Sequence, residues 1–150
     1  MTTVIQRIAG LFHLGRIPAD IRTRLESEGR ILYIAEGIWE TAVFKNFKTP
    51  GSYCGYRCIS FIGFFALSEK RIIAKAKFHH DINVNATYDN PQFQSIAFIA
   101  DTKMLSLAID VSAQSPQMSG LMEVRLHLQD VDMAVQILQG VGARIEHTNR

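Results

Sequence analysis

The sequence predicts a mainly β protein with some helix: a bent antiparallel sheet or partly open barrel of about seven strands, preceded by a short helical segment and closed by one C-terminal helix. Three observations predict it. From Ile31 to about Leu128 apolar residues recur at every second position in runs of strand length. Polar, Gly- or Pro-containing breaks of hairpin length separate those runs. From Val131 the spacing switches to that of one helical face.

The chain begins with apolar positions Val4, Ile5, Ile8, Leu11 and Phe12, which share a helical face behind Thr2 or Thr3 as N-cap. Pro18 suits the first position of a second helix, whose Ile21 and Leu25 lie on one side, and Gly29 suits a left-handed stop. Ile31 to Phe47 reads as one long strand bent or bulged at Gly37. Lys48 to Gly55 reads as a loop around Thr49-Pro50-Gly51-Ser52. Arg57–Leu67 and Arg71–Phe78 form a hairpin around Ser68-Glu69-Lys70, and Asp81–Thr87 is a short strand ended by Asp89-Asn90-Pro91. Phe93–Ala100 and Met104–Val111 form a further hairpin, too densely apolar to have a fully wet face. After a Ser112–Gly120 loop, Leu121–Leu128 places Met122, Val124, Leu126 and Leu128 on one side and Glu123, Arg125 and His127 on the other. Asp130 then caps a helix with the stripe Val131, Ala134, Val135, Leu138 and Val141, stopped at Gly140 or Gly142. The organisation expected is an N-terminal helical extension (1–29), one β domain (30–142) and a tail (143–150).

Composition narrows the function classes. A chain of 150 residues with 47% hydrophobic and 20% charged residues has the ordinary balance of a single domain with its own core. The net charge of +2 is too small for the clustered phosphate contacts of nucleic-acid binding, which is not expected. Cys54 and Cys58 stand too close for a useful disulfide and lack two further zinc ligands nearby, so they read as ordinary thiols in a reducing cytoplasm. No apolar run reaches the ~20 residues of a membrane span. Arg7 falls where a signal peptide needs its apolar centre, so the N-terminus reads as retained. An organelle transit peptide is the lesser reading, since Ser is scarce there.

The segment Gly63-Phe64-Phe65-Ala66-Leu67-Ser68-Glu69-Lys70-Arg71-Ile72-Ile73-Ala74 resembles the strand-turn-strand of bacterial pleckstrin-homology-like (PH-like) and GRAM-like domains. Glu28-Gly29-Arg30-Ile31-Leu32-Tyr33 resembles their first-strand entry. The resemblance covers about residues 28–142 and implies a strongly bent, partly open barrel whose final helix plugs one end. It also implies a non-enzymatic binding module without a cofactor, with function carried by loops.

Several residues are candidates for sites. Lys45, Lys48 and Arg57 flank the first hairpin loop, where lipid-binding PH domains carry cations, though the loop lacks their dense basic run. Arg71, Lys75 and Lys77 share strand parity opposite Ile72, Ala74, Ala76 and Phe78, which predicts an exposed cationic stripe. Such a stripe serves either an anionic surface or, more simply, protection of a sheet edge. His79-His80-Asp81 does not read as a metal or catalytic site, because neighbouring strand residues face opposite ways and no nucleophile is near. No metal site is expected. Ile5, Ile8, Leu11 and Phe12 form an apolar face for intramolecular packing or self-association. The leading expectation is a cytoplasmic interaction module that contacts a protein partner or a second copy of itself as a homo-oligomer. The alternatives are peripheral attachment to anionic membranes through those six cations, and a small-ligand carrier.

Overall fold

The computed structural model describes residues 15–76, 83–113 and 116–148. Helix α1 (Ala19–Glu28) is followed by strands β1 (Ile31–Thr49), β2 (Ser52–Ser68), β3 (Arg71–Ala76) and β4 (Asn83–Thr87). A one-turn helix α2 (Pro91–Gln94) leads to β5 (Ala97–Ala100), β6 (Met104–Asp110) and β7 (Ser119–His127), then helix α3 (Val131–Gly140) and β8 (Ile145–His147). The eight strands form one curled, open half-barrel in the order β4-β3-β2-β1-β7-β6-β5-β8. Every pairing is antiparallel except β5 with β8, which is parallel.

Alternation in the strands produces two buried faces. Ile38, Ala42 and Phe44 of β1, Phe61, Phe65 and Leu67 of β2, and Leu105, Leu107 and Ile109 of β6 point into the curl. They meet Val131, Ala134, Val135 and Leu138 of α3, the helical stripe that the sequence predicts. On the outer side Phe64, Ala66 and Ile73 are covered by Ile17 and Leu25, so α1 lies against the convex face of β2 and β3. Leu25 is only 1% exposed, which ties this helix firmly to the sheet.

The bend in β1 falls at Gly37, where φ is +62° and the register with β2 shifts between Glu36 and Ile38. The Gly37 amide donates to the Gly15 carbonyl (3.0 Å), joining the segment before α1 to the bulge. Asp130 caps α3 through its carboxylate, which accepts from the Met133 amide.

Five sequence expectations change. The loop Lys48–Gly55 is instead a two-residue turn at Pro50-Gly51, with both strands continuing to Thr49 and Ser52, because Pro followed by Gly51 at φ +82° reverses the chain at once. Phe93 lies in α2 and not in a strand: Asn90 accepts from the Gln92 amide and Pro91 fills the first turn, so a helix wins over the apolar run. Gly29 ends α1 with extended backbone (φ 161°) and not in a left-handed turn. An eighth strand joins the expected seven, since Ile145–His147, read as tail, pairs with Phe98–Ala100. The cationic stripe on β3 is not uniformly exposed, because α1 covers the same face.

Candidate functional site

The hairpin of β1 and β2 is the longest feature of the fold, paired from Ile31↔Ser68 to Thr49↔Ser52. Its two flanks differ. On the β1 side, β7 supports it from Glu40↔Leu126 out to Lys48↔Ser119. On the β2 side, among the described residues β3 reaches from Leu67↔Ile72 to Gly63↔Ala76, and no described strand other than β1 pairs with Ser52–Ile62.

Side chains on this stretch are unusually aromatic for a surface. Tyr53 and Tyr56 are 67% and 66% exposed. Tyr56 stands opposite Lys45, on the convex face with exposed Cys58. Arg125 of β7 lies on that face too, held by its hydrogen bond to Glu123 (3.0 Å). Tyr53 has the other parity. Its ring lies beside Gly55, and its hydroxyl donates to Asn46 Oδ1 at 3.2 Å. Arg57 pairs with Phe44 and so belongs to the inner face, at the open end of the curl.

The cations picked out from sequence therefore do not form one plane. Lys45, Lys48 and Arg57 are exposed, with Lys45 and Arg57 on opposite faces of the hairpin. Arg71 is committed elsewhere: its Nε donates to Glu28 at 2.8 Å and its Nη1 to Asn85 at 2.8 Å, joining α1 to β3 and β4. Lys75 is half-buried on the same face of β3. Lys77 and His79-His80-Asp81 lie outside the described residues, as does the apolar face Ile5, Ile8, Leu11 and Phe12. Among the described residues no group of three or more His, Cys, Asp or Glu could hold a metal ion. No described helix is long and apolar enough to cross a membrane.

Two features escape the sequence reading. Glu40 sits inside the curl, fully buried, with neither carboxyl oxygen hydrogen-bonded. Burial pushes its carboxyl up to about 9, so it stays protonated and neutral at ordinary pH. The side chain fits because Gly63 of the neighbouring strand has no Cβ; one built there would collide with the carboxyl and with the Lys75 carbonyl. The available signal was the row Ile38-Glu40-Ala42-Phe44, in which a lone acid takes a core position.

The second is a cleft of about 550 Å³ whose lining includes Tyr88, Phe93, Phe98, Val141–Arg144 and Glu146. Tyr88 follows β4 at one end of the sheet, while Phe98 and Glu146 belong to the paired β5 and β8 at the other, so no local pattern announces the cleft. Compared with protein-family models, curated proteins and solved structures, the chain matches none.

Proposed function

We infer that the chain is a non-enzymatic binding module of the PH-like kind, which recognises an extended protein segment along the outer edge of β2. One observation carries this reading: on its side away from β1, Ser52–Ile62 has no strand beside it among the described residues, yet it bears two tyrosines about two-thirds exposed. Bare strand edges are ordinarily blunted, because their free amide and carbonyl groups recruit other strands. A segment adding there would gain backbone hydrogen bonds, while Tyr53 and Tyr56 contribute large contact area at little entropic cost.

Charge defines the partner's chemistry. From Thr41 to Ser68 the chain has Lys45, Lys48 and Arg57 and no acid, so an acidic segment is favoured. The curled antiparallel sheet followed by a helix supports the PH-like reading, while a parallel strand after that helix departs from it. Membrane attachment draws less support, since Arg71 is ion-paired and Lys45 and Arg57 face opposite ways.

A photo-crosslinker placed at Tyr56 in the native host tests the proposal. The expected product is an acidic segment whose synthetic copy protects the amides of Ser52–Ile62 from hydrogen exchange. Lys45→Glu with Arg57→Glu should weaken it at least tenfold. Protection confined to other strands would refute the edge-addition reading. Salt-sensitive binding to anionic vesicles, abolished by the same reversals, would replace it with membrane attachment. A concentration-dependent doubling of mass would identify the segment as a second copy.

A further inference from the structure

The bare side of β2 has a symmetry of its own. Along Ser52–Ser60 the even-numbered residues share the convex face and read Ser52, Cys54, Tyr56, Cys58, Ser60, the same in either direction. All are exposed except Cys54, which is half-buried. Among the described residues no strand but β1 flanks this stretch. A two-fold axis through Tyr56 would therefore set like upon like across an antiparallel pair of β2 strands: serine on serine, tyrosine on tyrosine, and Cys54 on the partner's Cys58 twice over. Such self-complementarity is what a closed two-fold dimer requires.

The backbone suits that register. The two-residue turn at Pro50-Gly51 makes Thr49↔Ser52 a hydrogen-bonded pair, so Ser52, Cys54, Tyr56 and Cys58 turn their amides and carbonyls towards β1. Tyr53, Gly55, Arg57 and Ile59 turn theirs to the open side. Each cysteine would thus stand in a non-hydrogen-bonded pair with Cα atoms about 4.5 Å apart, inside the roughly 4.4–6.8 Å that disulfides span. Within one chain the two thiols lie four residues apart on one strand, about 13 Å, too far to bridge each other. The paired stretch ends at Ser60, short of Gly63↔Ala76, where β3 flanks β2. Arg57 falls opposite the partner's Gly55, so no two cations stand directly opposed. Lys45, Lys48 and Arg57, with no acid from Thr41 to Ser68, still give two copies like charge, which opposes pairing until a covalent bond holds it.

We propose that hydrogen peroxide joins two copies edge to edge through two reciprocal Cys54–Cys58 disulfides, and that the oxidised dimer shuts this edge to the acidic segment, a consequence that rests on the function proposed above. Each bridge uses one peroxide. The Cys58 thiol takes an oxygen and becomes a sulfenic acid as one water leaves; the partner's Cys54 then attacks that sulfur, and the displaced hydroxyl departs with the thiol proton as a second water.

The test exposes the reduced full chain to stoichiometric hydrogen peroxide and follows its mass without reductant. The parent should double in mass, its linked peptides should join Cys54 to Cys58 alone, and dithiothreitol should reverse the change. Cys54→Ser and Cys58→Ser should each stay monomeric. Their equimolar mixture should give at least tenfold more dimer than either alone, because only the mixture supplies both halves of one bridge. In the linked parent the amides of Tyr53, Gly55, Arg57 and Ile59 should be protected from hydrogen exchange. A monomer after peroxide, a Cys58–Cys58 dimer from Cys54→Ser alone, or a linked dimer without that protection would overturn the pairing, and capture of the acidic segment by the reduced chain would then leave the proposed function standing. The segment should bind the linked dimer at least tenfold more weakly than the reduced chain, and undiminished binding would overturn the closure. A correctly linked dimer whose reduced form captures no segment would uphold the pairing and sink the proposed function instead.

Discussion

Glu40 is the residue at which this sequence most plainly opposes its own fold. A carboxyl without a partner, between Ile38 and Ala42 on the inner row of β1, is tolerated only in its neutral form. Its pKa is raised from the ordinary 4.5 to about 9, so the folded chain holds a proton that the unfolded chain releases. The associated stability is complete below about pH 4.5 and lost progressively as pH rises towards 9, by at most about 1.4 kcal/mol per pH unit. Glu40→Gln should therefore flatten the alkaline limb of a urea-midpoint-against-pH curve and exceed the parent's stability at pH 8. An unchanged slope would show that the carboxyl is not the titrating group. Gly63→Ala has a different expectation. Its new methyl meets the Glu40 carboxyl and also the Lys75 carbonyl, which is backbone and fixed by the β2–β3 ladder. It should cost about 2 kcal/mol or more, and Glu40→Ala in the same chain should restore only part of that loss.

At the scale of elements, α1 is fastened to the sheet in two ways of unequal strength. Leu25 sits among Ile17, Phe64, Ala66 and Ile73, while Glu28 reaches Arg71 through an ion pair in which both side chains keep about a quarter of their exposure. Leu25→Ala should thus cost about 2 to 4 kcal/mol, and Glu28→Ala about 1 kcal/mol or less, in denaturant unfolding. The same helix shows why parts of the architecture were legible and others were not. Pro18, Ile21, Leu25 and Gly29 announce it locally, as Asp130 and the Val131–Leu138 stripe announce α3. The face of β3 that α1 covers was not legible, because parity separates Arg71, Ile73 and Lys75 from Ile72 and Ala74 without saying what lies over either set. Alternation placed Arg57–Leu67 as a strand, but the tyrosine-bearing residues before it read as loop and turn, and the reach of β3, which among the described residues stops at Gly63↔Ala76, is a property of pairing. The three residues of β8 are too few to display a period, and their partner Phe98–Ala100 lies far back along the chain.

For the whole molecule, the arrangement of the two apolar clusters decides how it unfolds. The inner cluster extends across the sheet and includes α3, while the outer one joins α1 to β2 and β3. They are separate in contact but continuous in backbone: Phe64 and Ala66 face outward between Phe65 and Leu67, which face inward. Loosening either cluster displaces the strand that carries the other, so α1 cannot detach as an independent unit and leave the curl intact. Both clusters should then report a single cooperative transition. Leu25→Ala on the outside and Leu138→Ala on the inside should each lower the midpoint, by about 2 to 5 kcal/mol in stability. In both variants the fluorescence of the single Trp39 and the far-ultraviolet dichroism should trace coincident curves. An early dichroism change in Leu25→Ala, before the tryptophan signal moves, would mean that α1 melts alone and that the shared strands do not couple the two faces.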